Sequence, residues 1–250
     1  MIDLKKIDSH NGFYKSYNHT LTATKTIFYK KNIQELKKII SFLRTKKEKA
    51  LIKTGNCGHG DKTILSDSDY VISVSKINKI KKIDKKKNTI DIEAGANLLD
   101  IFKFLEKKKY KIFNIPGGNT VSLGGAIGGN VHGRPSTPRY AVFGDNIISL
   151  KILNESGKVV KLDRKNELFY KVVGGLGLFG IILEAKIKIF KLENVNYNFE
   201  HTYISSTKEF KNFDKNNKIF YGYLNFFDKY SLQGNFMTLQ EKKRGINNYT

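Results

Sequence analysis

The sequence predicts an α+β protein in which strands dominate. Short β-branched runs recur between turns rich in Gly, Asn and Lys. Helical spacing of apolar residues is confined to a few segments. Fourteen of the 21 glycines fall in three clusters: three in GNCGHGD (55–61), seven between Gly117 and Gly133, and four in GGLGLFG (174–180).

The elements follow in order. KTIFYKK (25–31) reads as a strand, and Asn32 is placed to cap a helix over IQELKKIISFLRTKKEK. Its apolar stripe is Ile33, Leu36, Ile39, Ile40 and Leu43. ALIKTG (50–55) is a strand running into a glycine turn, and YVISVS (70–75), IKKID and TIDIEAG form a β-meander around a KKKN turn. Asn97 caps a short helix through Leu105, and YKIFNIPG is a strand leading into the second glycine cluster. NIISLKILNESGKVVKL is a hairpin turning at Asn154–Gly157, NELFYKV a short helix, and GIILEAKIKIF (180–190) a strand that alternates in its second half. From Glu193 the chain becomes aromatic-rich, a second β-rich unit that reads as incomplete at residue 250.

With 250 residues, 40% hydrophobic and 27% charged, the chain is long enough for one large or two modest globular domains. No apolar run approaches the roughly eighteen residues of a membrane span. The first residues carry no secretory h-region and Cys57 is the single cysteine, so the expected compartment is cytoplasmic. The net charge of +22 comes from lysines spread over the whole chain rather than clustered, and no nucleic-acid motif accompanies them. Nucleic acid is therefore not an expected partner. No metal-ligand spacing occurs, so no metal is expected.

One glycine cluster alone is a turn. Three clusters at strand ends point to a ligand lying along the backbone, and a diphosphate suits the N–H nests of such turns. The common nucleotide motifs do not fit. A Rossmann fingerprint opens a full helix, and Pro135 and Pro138 leave no room for one after GGAIGG. A Walker loop ends in Gly-Lys-Ser/Thr, which is absent.

IPGGNTVSLGGAIGGNVHGR, FGDNI, LKILNESGKVV and ELFYKVVGGLGLFGIILEAKI together resemble the FAD-binding domain of the vanillyl-alcohol-oxidase (PCMH-type) flavoenzymes. The similarity is greatest to decaprenylphosphoryl-β-D-ribose 2′-oxidase and its relatives. The resemblance implies a two-subdomain PCMH-type FAD-binding fold over residues 12–195. Residues 196–250 would then begin a β-rich substrate (cap) domain.

The resemblance also implies a site. Gly55, Asn56, Cys57, Gly58, His59, Gly60 and Asp61 stand where the family wraps the FAD diphosphate. Cys57 replaces the family's arginine there, and the loop is one residue shorter. Some superfamily members have a histidine at that place bonded covalently to flavin; here, with Cys57 there and His59 beside it, non-covalent FAD is expected. Gly117 matches a turn glycine, and Val121, Ser122, Leu123, Gly124 and Gly125 would run along the diphosphate and ribose. Gly129, Asn130, Val131 and His132 would reach the flavin, and Ile182 the adenine side. His132 and Arg134 would be the catalytic edge, with Arg134 where close relatives have lysine.

The reaction the resemblance implies is oxidation of a secondary alcohol of a sugar by hydride transfer to flavin N5, with a polyprenyl-phosphate pentose in cell-envelope synthesis as the substrate it suggests. The alternatives are an aldonolactone or hydroxy-acid oxidase of the same superfamily, and a non-catalytic or split FAD-binding subunit needing a partner chain. A partner reductase and a peripheral contact with anionic membrane are compatible expectations.

Overall fold

In the computed structural model the chain divides into two units, Met1–Leu192 and Glu193–Thr250. The structure describes residues 9–15, 22–29, 32–55, 70–118, 120–133, 139–192, 197–212, 219–225 and 233–241.

The first unit holds two sheets. The first is built from β1 (Ser9–Lys15), β2 (Thr22–Tyr29), β3 (Ala50–Lys53) and β4 (Tyr70–Ser73), in the order β1-β2-β4-β3. β4 runs parallel to both β2 and β3, while β1 is antiparallel to β2. β1 has no apolar alternation to announce it; its pairing with β2 makes it a strand. Helix α1 (Ile33–Lys46) crosses between β2 and β3. Asn32 accepts the Glu35 N–H at its start, and Lys47 in the left-handed region ends it. The helix buries Leu36, Ile39, Phe42 and Leu43 against Phe28 and Ile72. The apolar stripe expected from the sequence is therefore rotated: Phe42 joins it, Ile40 is partly buried, and Ile33 in the first turn is 37% exposed.

The second sheet carries most of the core. It contains β5 (Ile80–Asp84), β6 (Thr89–Glu93), β8 (Ile147–Leu153), β9 (Val159–Asp163) and β10 (Ile181–Lys188), in the order β5-β6-β10-β8-β9, with neighbours antiparallel. A small ladder joins β7 (Tyr110–Lys111) to β11 (Phe190–Lys191). The strand expected over YKIFNIPG is confined to Tyr110–Lys111, and Asn114 beyond it takes a left-handed φ of 60°. On the inner face Ile90, Ile92, Leu150, Ile152, Leu162, Ala185 and Ile187 meet three helices. These are α2 (Leu98–Lys107), α3 (Leu123–Gly128) and α4 (Glu167–Val172). Each fully buried Leu, Ile or Phe in this cluster contributes about 1.5–3 kcal/mol.

β10 explains its own unbroken apolar start. Ile182 faces the larger core, whereas Ile181 and Leu183 face the core of the first sheet with Leu153. A strand wedged between two cores has no polar side, so alternation resumes only at Glu184.

The outer face of the second sheet is ionic. Lys81, Asp91, Lys151, Lys161, Glu184 and Lys186 line a shallow hollow of about 180 Å³. Glu184 pairs with Lys81 and, at 2.7 Å, with Lys151. Burial pushes its carboxyl upward, but the hydrogen bonds from Lys151 and Lys81 outweigh this and hold it below the usual value. The stabilisation this gives is present above the ordinary carboxylate pKa and fades as pH falls through the lowered folded value.

In the second unit, β12 (Tyr197–Ile204), β13 (Ile219–Asn225) and β14 (Gln233–Glu241) form an antiparallel sheet in the order β12-β14-β13. Helix α5 (Thr207–Asn212) sets Phe210 against the buried Phe236, with ring centroids 5.6 Å apart. Gly222 sits opposite Phe236 because a Cβ there would lie 2.3 Å from its ring.

Candidate functional site

Gly55, the described residue of the first glycine cluster, and the third cluster flank α3, which lies within the second. The first arrives at the end of β3, where the Ser122 hydroxyl donates to Thr54 Oγ1 at 2.7 Å. Gly55 lies beside the same hydroxyl: a Cβ there would come within 3.1 Å of Ser122 Oγ. The third cluster closes the other end. The N–H groups of Gly174 and Leu176 donate to the carbonyls of Ile127 and Gly128, each at 3.0 Å. Gly177, at a φ of 86°, rests on Ile52 of β3.

α3 itself is LGGAIG, a poor helix by composition. It forms because Leu123, Ala126 and Ile127 are fully buried and because Ser122 caps its start, accepting the Gly125 N–H at 3.3 Å. Gly124 must be glycine for packing: a Cβ would lie 2.7 Å from Thr54 Cγ2 and 3.0 Å from Ala94 Cβ. The helix is thereby pressed into the joint between the two sheets.

The N–H groups of Leu123, Gly124 and Gly125 do not form a free anion nest. The Leu123 N–H already donates to Ala96 O, that of Gly124 to Ala94 O, and that of Gly125 to Ser122 Oγ. Docking α3 onto the strand ends consumes these donors. What the segment presents instead is bare backbone. Gly117, Gly118, Gly125 and Gly129 are exposed. Gly117 and the buried Gly128 border open space, since a Cβ at either would meet no atom within 4 Å. A flat, extended group can approach such backbone closely, so the residues present fit a dinucleotide cofactor.

Past α3 the chain is clamped on both sides of His132. Val131 donates to Ala126 O at 3.1 Å and accepts from Phe143 N–H at 2.8 Å. Gly133 donates to Asn114 Oδ1 at 2.7 Å. Between them the His132 side chain is exposed. The Asn130 side chain is engaged within the fold. Its Oδ1 accepts the Gly144 N–H at 3.0 Å, which its φ of 40° makes possible. Gly144 lies in a tight 3₁₀ turn, Phe143–Asn146, and Arg164 braces that turn by donating to Gly144 O at 2.8 Å and Ile147 O at 3.0 Å.

Ile182 is 5% exposed and its side chain belongs to the core, as does Leu123 at 0%. Neither side chain is available to a ligand. Asn56, Cys57, Gly58, His59, Gly60, Asp61 and Arg134 lie outside the described residues. Three groups that organise the site were not singled out from the sequence: Thr54, Asn114 and Asn146. Thr54 is legible as the residue before a glycine cluster. The asparagines carry no such local signal.

The fold agrees with comparison to known proteins. A family profile described as an FAD binding domain matches residues 24–163. The chain belongs to this FAD-binding family. It has the PCMH-type fold of the vanillyl-alcohol-oxidase flavoenzymes, and FAD is the cofactor such a domain takes. It is 26% identical over 174 residues to D-arabinono-1,4-lactone oxidase of Candida glabrata, covering 67% of this chain and 32% of that protein. It is 32% identical over 130 residues to decaprenylphosphoryl-β-D-ribose oxidase of Mycolicibacterium smegmatis, covering 51% of this chain and 28% of that one. Among solved structures it resembles a variant of cholesterol oxidase from Brevibacterium sterolicum, with a TM-score of 0.76 at 13% identity, over 97% of this chain and 50% of that one. The chain thus spans about a third of the length of these curated relatives.

Proposed function

We propose that this chain is the FAD-holding part of an oxidoreductase that converts a secondary alcohol of a sugar-related substrate to a ketone. The meeting of Gly55, the 117–133 glycines and the 174–180 turn around α3 carries this reading, because it leaves backbone open at Gly117 and Gly128. FAD, when bound, supplies the acceptor of two electrons, with hydride passing from substrate carbon to flavin N5. The chain's part is to bind and to position. Gly117, Gly125, Gly128 and Gly129 give the cofactor close backbone contact, and residues 55–61 are the proposed diphosphate loop. His132 is the proposed acceptor of the hydroxyl proton, an imidazole being able to take it near neutral pH. Arg134 is the proposed anchor for a substrate phosphate or hydroxyl.

Reconstitution tests the reading. Purified full-length chain incubated with FAD and desalted should stay yellow, with the visible flavin absorption band; a colourless protein overturns it. In a catalytically complete protein, His132→Ala should keep FAD and slow flavin reduction by about 10²–10⁴-fold, the usual worth of a general base. A wild-type reduction rate would remove His132 from the chemistry.

The relatives favour two substrate classes. One is named for an aldonolactone and the other for a polyprenylphosphoryl ribose. The net charge of +22 favours the second, since a polyprenyl substrate resides at an anionic membrane surface. Among the described residues no helix is long and apolar enough to cross a membrane. Salt-sensitive binding to anionic vesicles supports peripheral docking, and absent binding counts against it.

A further inference from the structure

We infer that Asn114 is the positioning residue that sets the direction of His132. The functional meaning of this rests on the FAD-site reading above; its structural basis does not.

Asn114 is fully buried and adopts a left-handed φ of 60°, a conformation asparagine tolerates better than most residues. There its amide does two jobs at once. Oδ1 accepts the Gly133 N–H at 2.7 Å, and Nδ2 donates to the Tyr140 carbonyl. One side chain therefore holds the residue following His132 and a second segment further along the chain. Gly133 is pressed onto the residue next to Asn114: a Cβ on it would lie 2.1 Å from Ile115 O.

Asn114 is itself held. Asn146, also fully buried, accepts the Phe113 N–H at 3.2 Å and donates to Phe113 O at 2.9 Å. The Phe113 ring stacks on Tyr140 with centroids 4.9 Å apart, and both rings meet Phe190 edge-on. On the other side of His132 the backbone of Val131 is fixed by Ala126 and Phe143. The imidazole is thus an exposed side chain on a backbone secured from both flanks, and Asn114 supplies the C-terminal flank.

The chemistry requires an amide. Aspartate keeps the acceptor but loses the donor, and its charge opposes the Tyr140 carbonyl. Leucine removes both bonds and takes from the Gly133 N–H its acceptor. Protonated aspartate, however, has the shape and one O–H donor to restore both bonds.

The test is the His132 ring resonance of the full-length chain, assigned by its loss in His132→Ala, together with the visible circular dichroism of bound flavin. In wild type the resonance should be sharp and displaced from its random-coil position. In Asn114→Leu it should move to the random-coil position or broaden away. In Asn114→Asp the change should appear at about pH 9, where the carboxyl is ionised, and reverse, relative to wild type at the same pH, as the carboxyl protonates on acidification, above its ordinary range because the site is buried. Flavin dichroism should follow the same pattern. If both variants stay folded and leave the His132 resonance at its wild-type position, the inference is overturned. If Asn114→Leu fails to fold, Asn114→Asp decides: a resonance unaltered between about pH 9 and acid, relative to wild type, overturns it. A wild-type chain that shows the displaced His132 signal but takes no FAD sinks the FAD reading and leaves Asn114's role standing.

Discussion

Gly128 and Gly133 belong to one glycine-rich stretch and do opposite work. A methyl group on Gly133 would strike a backbone oxygen at 2.1 Å, whereas one on Gly128 would meet nothing within 4 Å. Gly124, Gly144 and Gly175 resemble the first, each with an atom within 2.7 Å of an added Cβ; Gly117 resembles the second. The difference separates glycines that the fold needs from glycines that leave room for something else. A motif of glycines in a sequence mixes the two kinds, and only the surroundings sort them.

Substitution can break or sharpen that division. The largest effect belongs to Gly133→Ala, which must push the backbone off Ile115 and should lower stability by about 3 kcal/mol or more; the urea midpoint measures it. A midpoint within error of wild type would mean that Gly133 is not a packing glycine. Next comes Ser122→Ala, which removes both the cap of α3 and the bond to Thr54. It should cost roughly 1–2 kcal/mol. In the Ser122→Ala background Thr54→Val should cost little more, because the two residues share one bond; full additivity would show that the link between β3 and α3 contributes nothing. The smallest effect on the fold belongs to Gly128→Ala, which has no clash and gains helix propensity, so stability should be unchanged or raised by about 0.4–1 kcal/mol. FAD affinity should fall at least tenfold in the same protein. Unaltered affinity would assign the open space at Gly128 to something other than the cofactor.

The ionic face of the second sheet provides a contrast of a different kind. Glu184→Gln removes the partner of Lys81 and Lys151 without touching the glycine clusters. It should lower stability by about 1 kcal/mol at neutral pH, the scale of partly exposed pairs, and the deficit should shrink on acidification as wild-type Glu184 protonates. FAD binding should stay as in wild type. Thermal unfolding across pH measures the first, and flavin titration the second.

Much of the fold was legible before any coordinates. Asn32 and Asn97 do cap helices, and the β5–β6 and β8–β9 hairpins turn where the Lys-, Asn- and Gly-rich segments indicated. These are short-range features, set by propensity and spacing within one element. β1 was not legible, since SHNGFYK has no alternation and becomes a strand only by pairing with β2. Nor was α3: half its residues are glycine, and it exists because three of its side chains are buried between two sheets. The stripe of α1 shifted to include Phe42 because the core of the first sheet, not the helix alone, decides which face is covered.

The site divides in the same way. The clustering of glycines beside a histidine is a property of the chain order, and it pointed to a backbone-hugging ligand and to the flavoenzyme family. Which N–H groups remain free is not. Those of Leu123, Gly124 and Gly125 are consumed by Ala96, Ala94 and Ser122. Asn130 turns inward to Gly144, and Ile182 sinks into the core. The sequence by itself determined the local geometry available: where the chain turns, where it lacks side chains, and where an imidazole follows. Tertiary structure decided the use of each residue. Hydrogen-bond donors and open volume are shared between segments far apart in the chain, and only packing two sheets against α3 determines which are spent on the fold and which are left for a ligand.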